Sequence, residues 1–269
     1  TPKPKHLFDL TGYLHRKNVL TAEELGRTQT AIDHLLSIPT NQYYPGPRAA
    51  AKVFQTPFRS MNHSGLDWHP VTQPIITELT DGKPRFNRGT LVVNTCANQK
   101  ITSFHCACED FGWQTRRYDV KDGQIHCNDS ICFFYFTDVY PGDGGRVVLP
   151  GSYKSNFERP DGLFSQNLED VDHPIYPPLA NTTRKAGDVV VLSELTTHGA
   201  LHLETEDRDR RFLILRYKTQ YFQAPRGSVN LFSAKVLGRL SLETRELTEP
   251  ASYQHIKEIV THSGIAKSI

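Results

Sequence analysis

The chain has 269 residues, 38% hydrophobic and 10% aromatic, enough for a sizeable core in one large domain or two small ones. Its 31 basic and 29 acidic side chains nearly cancel, which argues against the broad field of a nucleic-acid or membrane-surface binder. No apolar run of about 18 residues occurs, so no transmembrane helix is expected, and the stretch Thr1-Pro2-Lys3-Pro4-Lys5-His6 lacks the apolar segment of a signal peptide.

Five cysteines, at 96, 106, 108, 127 and 132, form an odd set with no zinc-ribbon spacing. That usage suits a reducing compartment, and a cytoplasmic location is expected.

Phe8 to Val19 reads as an entry segment, extended around Gly12-Tyr13-Leu14. Thr21-Ala22-Glu23-Glu24 is a capping box, with Leu20 and Leu25 at the positions of a hydrophobic staple. Leu25, Ile32, Leu35 and Leu36 line one face of the helix that follows, and Pro39 lies beyond its end. Residues 41–60 read as a long loop. A short helix is expected through Ile75, Ile76 and Leu79, with His69 as a packing residue at its entry.

From residue 86 the pattern turns to strands: 90–95, 101–106, 131–136 and 146–149, separated by polar or Gly/Pro-rich turns. Phe133, Phe134 and Phe136 belong to a continuous apolar run and are expected in the core. Residues 156–184 form a long connection. Gly187-Asp188 is a tight turn into Val189–Leu192, a run suited to a buried strand. His198 and Gly199 follow. Arg210 opens another strand through Tyr217, and a last helix is expected at 243–259, broken near Pro250. Short strands between flanking helices predict a mainly β sandwich or barrel, in one domain covering 1–269 with its β core at about 86–222.

The chemistry-bearing residues are His105 at a strand end, His198 after the apolar strand, and Arg210 twelve positions later. A neutral imidazole near a fixed guanidinium suits a metal together with a carboxylate ligand. A core histidine beside a surface arginine pair is the plainer alternative.

The order of capped helix, His105, Thr137–Gly145, Pro150-Gly151-Ser152-Tyr153-Lys154, Gly187-Asp188, Thr197-His198-Gly199 and Arg210-Arg211-Phe212 resembles the phytanoyl-CoA dioxygenase family of Fe(II)/2-oxoglutarate-dependent oxygenases. The resemblance spans roughly residues 8–218, and its most specific element is PGSYK, where that family writes PGSHK. It implies a double-stranded β-helix, a cupin-like jelly roll, with flanking N- and C-terminal helices and a metal at its mouth. It further implies Fe(II), 2-oxoglutarate and O₂, used to oxidise an unactivated C–H bond of a small metabolite. His105 and His198 match the two metal histidines. Arg210 matches the arginine that grips the far carboxylate of 2-oxoglutarate, with Arg211 as the neighbour able to replace it. Asn94 matches a polar cosubstrate contact.

The family's H-x-D reads His105-Cys106-Ala107 here, so the carboxylate ligand is displaced or absent. Asp110, or Glu109 beside it, would be a shifted ligand, and His126 a more distant one. An H-x-A motif also occurs in halogenases of the superfamily, where chloride takes the vacated position. Loss of catalysis, leaving a jelly-roll binding protein, is the third reading. Trp113, Arg116 and Arg117, on a polar stretch after the metal strand, would suit an anionic or zwitterionic substrate, and a solvated loop is the alternative.

Overall fold

The computed structural model describes residues 2–39, 52–55, 66–97, 102–107, 118–155, 157, 180–181, 183–220 and 234–248. Five helices flank the strands: α1 (Pro2–Thr11), α2 (Ala22–Ser37), α3 (Gln73–Leu79), α4 (Ala234–Leu237) and α5 (Leu242–Thr248). Twelve strands run β1 (Tyr13–Arg16), β2 (Lys52–Gln55), β3 (Pro84–Asn94), β4 (Thr102–His105), β5 (Tyr118–Lys121), β6 (Gln124–Cys127), β7 (Asp129–Tyr135), β8 (Gly145–Val148), β9 (Ala180–Asn181), β10 (Val189–Ser193), β11 (His198–Leu201) and β12 (Arg210–Thr219). They form a six-stranded sheet ordered β1-β10-β7-β12-β3-β2, a four-stranded sheet ordered β4-β11-β8-β9, and the hairpin β5-β6, with every pairing antiparallel.

The central strands β10, β7 and β12 of the larger sheet are buried on both faces, which is why they read as nearly unbroken apolar runs. Alternation sorts them. Leu91, Val93, Cys132, Phe134, Val189, Val191, Leu213 and Leu215 pack outward against helix residues Phe8, Ile32, Leu35, Ile76, Leu79 and Leu247. Val92, Ile131, Phe133, Tyr135, Val190, Leu192, Phe212 and Ile214 point the other way and meet Val148 of the smaller sheet. The two sheets therefore face each other across a second core, and that interior holds the site.

The capping box is present: Glu24 N donates to Thr21 Oγ1 at 3.2 Å, and Thr21 N donates to Glu24 Oε2 at 2.8 Å. His69 is buried edge-on to Phe134, as its packing role requires. The extended Tyr13-Leu14 of the entry segment is strand β1, but the segment's start, Phe8 to Thr11, belongs to helix α1, because Phe8 docks on the outer core and the prolines fall in the first turn, where no helical N–H is lost. The polar stretch ahead of residue 123 contains a strand, β5, paired with β6. The final helix is described over Leu242–Thr248; the rest of 243–259 lies outside the described residues.

Candidate metal and cosubstrate site

β4 and β11 are neighbours in the smaller sheet, and their register sets His105 directly opposite His198. Both side chains therefore leave the same face, with ring centroids 4.4 Å apart. His198 is 1% exposed. Its Nδ1 lies 2.7 Å from the carbonyl oxygen of Thr196. A carbonyl only accepts, so Nδ1 carries the proton and Nε2 keeps its lone pair. Burial, then the nearby Arg146 and His105, push the imidazole down to about 3, so it is neutral at ordinary pH, the form a metal requires.

The turn that presents His198 is braced from two sides. Ser193 N donates to Gly12 O at 2.9 Å, and Thr196 Oγ1 donates to the same carbonyl at 3.3 Å. Thr197 N donates to Ser152 Oγ at 2.8 Å, and Leu149 N to Thr197 O at 2.9 Å. Ser152 is the serine of PGSYK, and the next residue, Tyr153, packs on Gly12 and donates to the carbonyl of Asp9. Gly12 sits at φ +82, where a Cβ would run into Thr196 Oγ1 and the Tyr153 ring.

Arg210 lies at the far end of β11 from His198, with Nη2 donating to Leu201 O at 3.2 Å. Its Nη1 is buried without a hydrogen-bond partner. Burial lowers the guanidinium to about 10, with Arg146 adding to the effect. Asn94, 5% exposed, is its register partner on β3. Arg211 points away and is bound to Asp209 and Asp33, which separates it from the interior.

Three residues of the site escape a motif search. Glu194 directly follows β10 and accepts from Arg216 Nε at 2.6 Å, while its backbone carbonyl accepts from Ala107 N at 2.7 Å. Burial works against its charge, but the Arg216 guanidinium overrides this and holds the carboxyl below its ordinary value. Arg146, on β8, lies over the ring of Phe133, its Cζ 3.7 Å from the centroid, and hydrogen-bonds Tyr135. A two-residue alternation from Phe212 and Ile214 through Arg210 and Arg216 is the signal that marks the β12 arginines as inward-facing.

Ala107 is 3% exposed. His126 is bound to Asp81, so its Nδ1 is committed away from His105 and His198. Tyr118 is held by Asp9 and stacks on Phe8. Asp110, Glu109, Trp113, Arg116 and Arg117 lie outside the described residues. Among the described residues no group of three or more His, Cys, Asp or Glu side chains gathers to hold a metal. What they supply is two adjacent imidazoles and, along the same strand, an unpaired buried guanidinium N–H. That donor set fits a borderline metal with a carboxylate cosubstrate.

No family model matches the chain, and no curated protein sequence matches it. Solved structures do. HygX from Streptomyces hygroscopicus, with nickel and 2-oxoglutarate bound, superposes with a TM-score of 0.66 at 20% identity, covering 81% of this chain and 87% of that one. The non-heme alpha-ketoglutarate-dependent carbocyclase SnoK from nogalamycin biosynthesis gives 0.60 at 18% identity, covering 82% and 85%. The epimerase SnoN, in complex with Fe3+, alpha-ketoglutarate and nogalamycin RO, gives 0.57 at 15% identity, covering 84% and 90%. At these identities the likeness is one of fold: the chain has the antiparallel, mainly β architecture on which these iron- and 2-oxoglutarate-dependent enzymes are built.

Proposed function

We propose that the chain is a non-haem Fe(II)/2-oxoglutarate-dependent oxygenase acting on a small molecule, folded as a single-domain double-stranded β-helix of the phytanoyl-CoA dioxygenase type. The observation that carries this reading is the cross-strand pair His105–His198, with Nε2 of His198 left as a lone-pair donor by the Thr196 bond, and the orphan Arg210 N–H at the other end of β11. The three residue steps from His198 to Leu201 along that strand separate them by roughly 10 Å.

His105 and His198 would hold Fe(II), and Asp110, or Glu109, would complete the ligand set. Arg210 would receive the far carboxylate of 2-oxoglutarate, with Asn94 beside it. The metal, 2-oxoglutarate and O₂ together would supply the oxidising power for a C–H bond. The protein's part is orientation: the braced turn fixes His198, the buried β11 face excludes water, and the fixed guanidinium sets the direction of the cosubstrate. Trp113, Arg116 and Arg117 are assigned to an anionic or zwitterionic substrate.

The buried alanine at 107 supports a variant, in which chloride takes the position of the missing carboxylate and the product is halogenated. The test is the visible spectrum of the purified protein under anaerobic Fe(II) and 2-oxoglutarate, with and without chloride. A charge-transfer band that disappears in His198→Ala is expected, and a chloride-dependent shift selects the halogenase variant. No band in the wild type leaves a binding protein on the same scaffold.

A further inference from the structure

Glu194 stands at the histidine pair although no motif places it there. It follows β10 in the turn that leads to His198, the first residue of β11. Its backbone carbonyl accepts at 2.7 Å from the N–H of Ala107, on the segment just beyond His105. The alternation that turns Val190 and Leu192 into the space between the sheets carries on to Glu194, as that of Phe212 and Ile214 carries on to Arg216. The two side chains meet there, Arg216 Nε donating to Glu194 Oε1 at 2.6 Å. Among the described residues no hydrogen bond reaches the other oxygen, Oε2, and the side chain keeps 14% of its surface open.

The charges around the histidines call for an acid. Burial, Arg146 and His105 all disfavour a positive charge on His198, and Glu194 is the carboxylate that acts against them. A dication set between the imidazoles meets the same opposition from Arg146, and a poorly hydrated interior offers little solvent to offset it. An aspartate at position 107 would offset it in H-x-D, but that residue is alanine. Burial opposes the charge of Glu194, yet Arg216, His198 and His105 together outweigh burial and keep the carboxylate ionised. Among the described residues no three His, Cys, Asp or Glu side chains gather closely enough to ligate a metal together. Glu194 therefore acts from outside direct contact, through its charge and through Oε2 as a hydrogen-bond acceptor.

We propose that Glu194 is the compensating anion of the metal site: its buried carboxylate supplies the negative charge that Ala107 does not, and divalent-metal binding at His105 and His198 depends on it. The inference rests on the oxygenase reading for the metal, and deepens it by assigning this charge whichever group fills the third coordination position.

The experiment is isothermal titration of Co(II) into the full-length, EDTA-treated protein, with a thermal melt of each variant. Wild type is expected to bind Co(II) and His198→Ala to lose it. Glu194→Gln, which keeps the shape and removes the charge, is expected to bind at least about tenfold more weakly. Ala107→Asp in the Glu194→Gln background is expected to restore most of that affinity. It should leave the melting midpoint low, because an aspartate there does not replace the bond to Arg216. Arg216→Met, which breaks the same ion pair but leaves the carboxylate, is expected to weaken Co(II) binding less than Glu194→Gln does. Unchanged affinity in Glu194→Gln overturns the proposal, and so does an affinity that Ala107→Asp fails to restore. Equal losses in Glu194→Gln and Arg216→Met also overturn it, since the pair would then serve only to join the sheets. Where Glu194→Gln fails to fold, Arg216→Met decides: a loss smaller than about tenfold supports the proposal and a larger one overturns it. All these failures leave the oxygenase reading standing while His198→Ala abolishes binding. Wild-type protein that binds no Co(II), or binds it as well after His198→Ala, removes both.

Discussion

At the scale of single residues, the site depends on which atoms have been committed elsewhere. Thr196 O takes the Nδ1 proton of His198, and Ser152 Oγ takes the N–H of Thr197, the residue immediately before it. Ser152→Ala leaves that N–H without its acceptor beside the candidate metal ligand. The expected cost is about 1–3 kcal/mol of stability, with a roughly 10- to 100-fold loss of Fe(II) affinity, as for other outer partners of metal ligands. Denaturant titration and anaerobic metal titration read the two effects separately; unchanged metal affinity would mean that PGSYK serves only folding. Arg210→Ala removes a contact made equally before and during reaction, so 2-oxoglutarate KM is expected to rise with kcat little changed. A fall in kcat alone would reassign Arg210 to the reacting centre.

At the scale of elements, what could be read from the sequence was what local chemistry dictates. The α2 capping box and staple stand on six consecutive positions, Leu20 to Leu25, and Thr21→Ala is expected to cost about 1 kcal/mol, read as a lowered melting midpoint. The apolar strands β7, β10 and β12 declared themselves by composition, and PGSYK with the two histidines was enough to point to facing sheets. Helix α1 did not, because no cap or acidic first turn marks it and its stability comes from docking Phe8. Glu194, Arg216 and Arg146 did not, because a charge next to an apolar run looks like a strand end at the surface; only the register turns it inward. Asp188 shows how a turn residue gains a structural duty that its sequence signal, Gly187-Asp188, only half discloses. It accepts from Asn18 N at 2.9 Å, from Lys185 N at 3.1 Å, and pairs with His15 Nε2 at 2.7 Å, tying β1 to β10. Burial opposes its charge, but these donors outweigh burial and set its carboxyl below the ordinary 3.8. A carboxylate depressed on folding stabilises above its unfolded pKa and loses that contribution as pH falls through the folded value. Melting midpoints should therefore drop below about pH 4, and Asp188→Asn should be destabilised by about 1–3 kcal/mol at neutral pH and show a flatter acid limb. An acid limb identical to wild type would place the titrating group elsewhere.

At the scale of the whole molecule, the site is where the two sheets are fixed to one another. Interior apolar packing brings Val148 against the larger sheet, but apolar contacts tolerate sliding; a directional link does not. Glu194, in the turn that leads from β10 to β11, supplies that link: its backbone carbonyl is bound to Ala107 just after β4 of the smaller sheet and its carboxylate to Arg216 on β12 of the larger one. The side chains of this pair are only 14% and 17% exposed, so their charges are poorly hydrated and each depends on the other. Glu194→Met alone leaves Arg216 charged and buried, and Arg216→Met alone does the same to Glu194; each is expected to cost about 3 kcal/mol, the low end for a broken buried pair. The double variant Glu194→Met/Arg216→Met replaces both charges with apolar side chains of similar length and should recover most of that stability. It should not recover the spacing of the sheets, because the methionines keep the volume and lose the direction. A double variant with near-native denaturation midpoint but weakened Fe(II) and 2-oxoglutarate binding is thus the expected signature. Full recovery of both stability and ligand binding would show that packing alone sets the distance between His105 and His198 on one sheet and the arginines of β12 on the other.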